Sequence, residues 1–132
     1  MNEKYNANNP LLAGTVVSAK YCDFENNERE GIFVVLYDEQ FDNKIFETRN
    51  VIALKISSQT TLVSNYSVRI LMDRNTFFLK PSIVCCSKVH LLNKYTQIYK
   101  VRGKLDSTTM KMVFKTFHDF TNSVEQQALT GV

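Results

Sequence analysis

The stretch that decides the fold lies in the middle of the chain and reads Asn50-Val51-Ile52-Ala53-Leu54-Lys55-Ile56-Ser57-Ser58-Gln59. Its β-branched and apolar content is typical of a buried β-strand, and the strand ends in a cluster of small hydroxyl residues. A second stretch, Lys100-Val101-Arg102-Gly103-Lys104-Leu105-Asp106, leads into a terminal segment with helical periodicity. Together the two stretches predict a sheet that is followed by one helix.

A length of 132 residues favours a single domain with a modest core. The hydrophobic content of 44% and the charged content of 22% are ordinary for a globular protein. We place the domain at residues 13–122. Residues 1–12 are polar and Asn-rich and contain Pro10, so we expect a flexible N-terminal tail there, and a C-terminal tail over residues 123–132.

Several features favour a cytoplasmic protein. No apolar run approaches the roughly 20 residues that span a bilayer, so no membrane contact is expected. The N-terminus lacks a basic-then-apolar signal pattern. The odd cysteine count, from Cys22, Cys85 and Cys86, suits a reducing compartment. No Cys/His cluster has the spacing of metal ligands, so we expect no metal site and no cofactor.

The net charge of +3 is unevenly distributed along the chain. Residues 1–50 carry five basic and nine acidic side chains, whereas residues 80–115 carry eight basic side chains and one acidic side chain. The basic part permits binding to a polyanion or to an acidic protein surface. The alternative, that the lysines only solubilise the surface, stays open.

Local patterns predict the order of the elements. Strands are predicted at residues 14–21, 32–37, 50–57 and 67–72, with a polar loop at 23–30. Residues 82–92 form one long strand or two strands that meet at a bend. Asp106 or Ser107 can cap the terminal helix. The helical spacing of Met110, Val113, Phe114 and Phe117 predicts its buried face. Five or six short strands and a terminal helix indicate an α+β domain on a small, strongly curved sheet.

Five segments follow one another in an order that carries a family resemblance. They are Gly14-Thr15-Val16-Val17, residues 32–39, residues 51–59, residues 82–93 and residues 101–106. In this order they resemble the strands and the helix entry of the MazF/PemK toxin family, which includes Kid and CcdB-like toxins, over residues 13–120. The resemblance implies a divergent member with an antiparallel, SH3-like barrel and a C-terminal helix.

The resemblance also implies a function, the metal-independent cleavage of single-stranded RNA. In the family, an arginine and a threonine or serine carry a reaction in which the RNA 2′-OH attacks the adjacent phosphorus. Negative charge then builds on the phosphoryl oxygens, where a guanidinium can hold them and preorganised charge accelerates the reaction. The resemblance places the hydroxyl at Ser57, but the arginine's position falls at Gly31.

Three residues are therefore candidates for catalysis: Ser57, Arg29 and His90. Arg29 lies two residues before Gly31, between two glutamates whose carboxylates compete for it. His90 can act as a general acid or base near neutral pH; the alternative is a polar surface residue at a strand end. The residues predicted to bind RNA are Lys55, Ser58, Gln59 and Lys88.

Two functions remain open at this point. The first is an endoribonuclease toxin that forms a homodimer, is held by an antitoxin and acts on single-stranded RNA. The second is a catalytically inactive MazF-like fold that acts as a protein-binding module; this chain would then be, for example, a phage or mobile-element protein that engages a repressor or a host factor. The missing arginine and the acidic loop favour the second function, whereas Ser57 and the basic stretch favour the first.

Overall fold

The computed structural model describes residues 5–38, 49–59, 65–70 and 80–129. Within these ranges the chain forms six β-strands and one α-helix. They are β1 (Thr15–Cys22), β2 (Glu28–Asp38), β3 (Asn50–Ser57), β4 (Ser67–Arg69), β5 (Ile83–Asn93), β6 (Ile98–Lys104) and α1 (Ser107–Leu129). The strands form one antiparallel sheet in the order β4-β5-β3-β2-β1-β6. This architecture confirms the predicted α+β class with its C-terminal helix.

The apolar runs of β2 and β3 occupy the centre of the sheet, and apolar side chains cover both faces there. On one face Val34 and Leu54 pack with Met110 and Val113 of α1. The opposite face carries a second buried cluster, which includes Val17, Phe33, Val35, Ala53 and Leu11. A strand that is covered on both faces needs no polar alternation, which explains the continuous apolar runs.

The connection between β1 and β2 is shorter than predicted. The sequence suggested a polar loop over residues 23–30, but Cys22 already pairs with Glu28, so the loop spans residues 23–27. Asp23 closes this turn, because its carboxylate accepts the amide hydrogens of Glu25 and Asn27. The predicted strand at 67–72 is confirmed at Ser67–Arg69, and its last two residues lie outside the described ranges.

Helix α1 begins where the sequence indicated. The Asp106 carboxylate accepts the amide hydrogen of Thr109 at 3.3 Å and also the Thr109 hydroxyl hydrogen, so Asp106 is the N-cap. Met110 and Val113 are buried and Phe117 is half-buried. The prediction was wrong for Phe114, which is 44% exposed. At about 100° per residue it lies at the edge of the buried stripe, beyond the reach of the sheet.

The segment before β1 lies against the second buried cluster. Leu11 is buried, and its amide donates to the Asp38 carboxylate at 2.9 Å. That carboxylate forms a fully buried ion pair with Lys94 at 2.8 Å. Lys94 also donates to the Asn9 carbonyl through Nζ, and its own carbonyl accepts from the Tyr5 hydroxyl. The segment is thus tied to the sheet from residue 5 onward, while the domain limits remain a prediction.

Candidate functional site

Three of the predicted residues, Lys55, Ser57 and His90, lie on one face of the sheet, where the strands β5, β3, β2 and β1 run side by side. Opposed residues of an antiparallel pair share a face. Phe33 is opposite Lys55 and Ile32 is opposite Ile56, so the residues that come next in register are Gly31 and Ser57. The register therefore places Ser57 beside the glycine that stands at the expected arginine position.

Lys55 is the centre of this face. Its ammonium donates to the Tyr21 hydroxyl at 3.1 Å. It also lies 4.4 Å from the centre of the Tyr21 ring and 5.1 Å from the centre of the Phe33 ring. Cation–π contacts of this kind contribute about 0.5–2 kcal/mol each, depending on desolvation. We refer to Tyr21, Gly31, Phe33, Lys55 and His90 as the Lys55 cluster.

Gly31 makes room for that ammonium. A Cβ atom built on Gly31 would overlap Nζ of Lys55, and it would lie 3.0 Å from Cε1 of Tyr21 and 3.2 Å from Cε2 of Phe33. Any side chain at this position must push the lysine aside. The cation beside Ser57 thus comes from β3, whereas the resemblance expects it on β2.

His90 lies opposite Ala53 and packs into the same cluster. The centre of its ring is 4.9 Å from that of Phe33 and 5.3 Å from that of Tyr21, both in edge-to-face geometry. Burial lowers the pKa of His90, and the charges of Lys55 and Lys88 lower it further. The imidazole is therefore neutral at pH 7 and able to accept a proton.

Ser57 ends β3 on the face of the Lys55 cluster. It lies two positions along the strand from Lys55, which corresponds to about 6.6 Å between their Cα atoms. Its Oγ accepts the amide hydrogen of Gln59 at 3.1 Å, so the hydroxyl hydrogen remains available to donate. Ser58 and Gln59 are exposed and follow directly.

Arg29 is engaged elsewhere. It lies opposite Tyr21 in β2, but its Nε donates to the Asp23 carboxylate at 2.9 Å, within the turn between β1 and β2. Hydrogen bonds from the Asn27 amide and from Arg29 lower the pKa of Asp23, so this carboxylate is charged at neutral pH. The arginine that sequence reasoning favoured is thus partnered by a carboxylate, while Lys55 is nearer the glycine.

A bulge in β5 brings one more cation to the site. Leu54 pairs with Val89, but the next residue, Lys55, pairs with Cys85, so residues 86–88 have no partner on β3. Lys88 is exposed on this bulge. Its charge acts on both His90 and Cys85. Burial nevertheless raises the pKa of the Cys85 thiol, which is therefore protonated at neutral pH.

Sequence reasoning missed Tyr21 and Phe33, which hold Lys55 in place. Phe33 had a weak signal, since it lies on the same face of β2 as Arg29, whereas no predicted site residue lies on the strand of Tyr21. Only the pairing of three strands shows that their rings converge. Across the described parts of the chain, no group of three or more His, Cys, Asp or Glu side chains is arranged to hold a metal ion. Likewise, none of the helices described there is long and apolar enough to cross a bilayer.

The antiparallel sheet and the C-terminal helix match one class of fold, that of MazF-type toxins. No protein-family model matches the sequence, and no curated protein sequence matches it. The evidence comes from solved structures, which the chain resembles at low sequence identity.

Three of these structures are toxins or endoribonucleases. An endoribonuclease from Mycobacterial species, solved in complex with its cognate antitoxin, has 16% identity over 82% of this chain and 91% of its own, with a TM-score of 0.60. A second endoribonuclease from Mycobacterial species has 16% identity over 83% and 88%, with a TM-score of 0.59. The Mycobacterium tuberculosis toxin MazF-mt6 has 11% identity over 80% and 96%, with a TM-score of 0.56. At these identities the likeness establishes the fold, and it leaves the activity to be tested.

Proposed function

We propose that this protein is a MazF-like toxin that cleaves single-stranded RNA without a metal ion. The observation that carries the proposal is the position of Ser57, a free hydroxyl donor beside Gly31 on the face of the Lys55 cluster. A neutral imidazole, that of His90, and the ammonium of Lys55 lie on the same face of the sheet, and the charge of Lys88 acts on His90. These groups suit a reaction that removes one proton and gathers negative charge on a phosphate.

In this mechanism the RNA 2′-oxygen forms a bond to the adjacent phosphorus while the bond from phosphorus to O5′ breaks. His90 accepts the proton of the 2′-OH, since its lowered pKa keeps it neutral at pH 7. Ser57 donates its hydroxyl hydrogen to a phosphoryl oxygen, and the nearby lysines offset the developing negative charge. The departing O5′ takes a proton from solvent.

The proposal also covers the partners. Lys88, Ser58 and Gln59 are exposed next to the cluster and contact the RNA strand on either side of the cleaved bond. An antitoxin partner is supported by the similar endoribonuclease that was solved with its cognate antitoxin. By resemblance to the family, the protein acts in the cytoplasm as a homodimer.

The test is cleavage of a long, unstructured RNA in the presence of EDTA, with discrete fragments as the readout. Ser57→Ala and His90→Ala are each expected to lower the cleavage rate by roughly 10²- to 10⁴-fold, in the range of a lost charge-stabilising donor or a lost general base. Lys20→Ala is the matched control, because Lys20 is exposed and lies opposite Glu30, on the other face. Absence of cleavage by the purified wild-type protein, or full activity of both site variants, would refute the nuclease.

One observation supports the second function, a protein-binding module. Arg29 is paired with Asp23, and its neighbours Glu28 and Glu30 carry exposed carboxylates that repel phosphate. An inactive protein would bind a partner through this turn. Recovery of a stoichiometric partner by tagged wild-type protein, lost with Arg29→Ala, together with no RNA cleavage, would favour this function over the first.

A further inference from the structure

We propose that Lys55 is the phosphate-binding cation of the site, and that Gly31 is a glycine because the Lys55 ammonium takes the volume that a side chain would need. Tyr21 and Phe33 act as positioning residues that hold the ammonium beside Ser57. The proposal deepens the proposed function, on whose RNA substrate it rests. It assigns to a lysine on β3 the charge that the resemblance places on an arginine of β2.

Lys55 carries a positive charge that no described carboxylate balances. The ammonium is half-buried, and its hydrogen-bond partner is the neutral hydroxyl of Tyr21. Among the residues that the structure describes, no carboxylate pairs with it; the two ion pairs there belong to Arg29 and Lys94. A partly desolvated cation without an anion makes a local positive potential that favours binding of an anion.

A second lysine, Lys88, adds positive charge on the side of the sheet where Lys55 lies. Lys88 lies close enough to act on His90 and Cys85 together with Lys55, so two positive charges converge on one side of the sheet. Neither of the other two polar side chains of the cluster, those of Tyr21 and His90, is a carboxylate. A phosphate placed beside Ser57 would therefore meet cations and hydrogen-bond donors.

The ammonium of Lys55 has a fixed position. Two aromatic faces and one hydroxyl hold it, which reduces the freedom of a long lysine side chain. Gly31 leaves the floor of this site open, and a methyl group there would overlap Nζ. Because Nζ is the end of a flexible chain, Gly31→Ala is expected to fold, with the ammonium pushed out of its position.

The test measures binding of a short 2′-O-methyl oligoribonucleotide, which cannot be cleaved because its 2′-oxygen is blocked. Lys55→Met keeps the stem over the two rings and removes the charge. It is expected to weaken binding by roughly 10-fold or more and to reduce the slope of log K against log salt by about 0.7, as for one lost phosphate contact to a single strand. Lys20→Met, the control lysine, should change neither quantity.

Gly31→Ala is the decisive variant, because it keeps Lys55 and moves it. It is expected to weaken binding as Lys55→Met does, whereas the control Glu30→Ala, on the neighbouring residue, should not. Gly31→Arg combined with Lys55→Met brings a cation back from β2 and should restore a substantial part of the affinity. Thermal unfolding of each variant confirms that it is folded.

The outcomes separate the two proposals. One outcome is that the wild-type protein does not cleave RNA but its binding of the oligonucleotide depends on Lys55 and Gly31 as stated. This result would refute the nuclease and support the phosphate site. Another outcome is that RNA is cleaved and that Lys55→Met and Gly31→Ala bind and cleave like the wild type. This result would support the nuclease and refute the assignment of Lys55. Binding of the oligonucleotide and of inorganic phosphate can be followed by NMR through the ring resonances of His90. If the wild-type protein binds neither ligand, the phosphate site is refuted.

Discussion

Replacement of Lys94 by methionine is expected to destabilise the protein strongly, because Lys94 forms a buried ion pair with Asp38, a residue that is distant in sequence. Its side chain is 0% exposed and its partner Asp38 is 1% exposed, with 2.8 Å between Nζ and Oδ2. Without the ammonium, the buried Asp38 carboxylate would lose the positive charge that lies 2.8 Å from it. Loss of one partner from a buried ion pair costs about 3–5 kcal/mol.

That cost is a large part of the roughly 5–15 kcal/mol that stabilises an ordinary domain. It corresponds to a fall in Tm of roughly 10–20 °C for a chain of this size. The Asn9 carbonyl also loses the hydrogen bond from Lys94, and the Leu11 amide donates to the carboxylate that has lost this lysine. The segment before β1 should therefore loosen first, before the sheet unfolds.

The assay is urea unfolding followed by circular dichroism, with a double-mutant cycle of Lys94→Met and Asp38→Asn. The double variant should lose less stability than the sum of the single variants, by about 1–3 kcal/mol, because it removes both charges of the pair and leaves neither without the other. Arg29→Met is the matched control, since it breaks an ion pair of nearly equal length, 2.9 Å, at an exposed site, and should leave the unfolding midpoint unchanged. Additive single effects, or a loss below about 1 kcal/mol for Lys94→Met, would show that the pair is not coupled as described.

Three further predictions follow from individual groups. The pKa of His90 is below its ordinary 6.5, so as the pH falls the unfolded chain takes up the histidine proton before the folded protein does. The free energy of unfolding should therefore decrease as the pH drops below 6.5. His90→Phe should remove this part of the pH dependence, measured by urea unfolding at a series of pH values. Cys22 is exposed, whereas burial raises the pKa of Cys85 and raises that of Cys86 to about 12. N-ethylmaleimide should therefore label only Cys22 in the native protein by mass spectrometry; equal labelling of all three would contradict this. Asp106→Ala should cost about 1 kcal/mol through loss of the helix cap, whereas an unchanged urea midpoint would argue against it.

The sequence predicted a strand or a helix correctly where the residues nearby in the chain are enough to determine its secondary structure. The apolar run of β3 and the helix start at Asp106 are both of this kind. Phe114 was assigned to the wrong surroundings, because periodicity gives an angle around the helix and not the width of the sheet beneath it. The turn at residues 23–27 was predicted too long, because the hydrogen bonds of Asp23 that close it depend on three-dimensional geometry.

Some features of the candidate site could likewise be predicted from the sequence, and others depended on the tertiary structure. The sequence by itself determined that a hydroxyl ends β3 at Ser57, that Gly31 stands where an arginine was expected, and that Arg29 is flanked by carboxylates. Only the tertiary structure decided that the Lys55 ammonium lies over Gly31, between Tyr21 and Phe33. Alternation along a strand assigns each side chain to a face, but which side chains meet on that face depends on the register between strands that are distant in sequence.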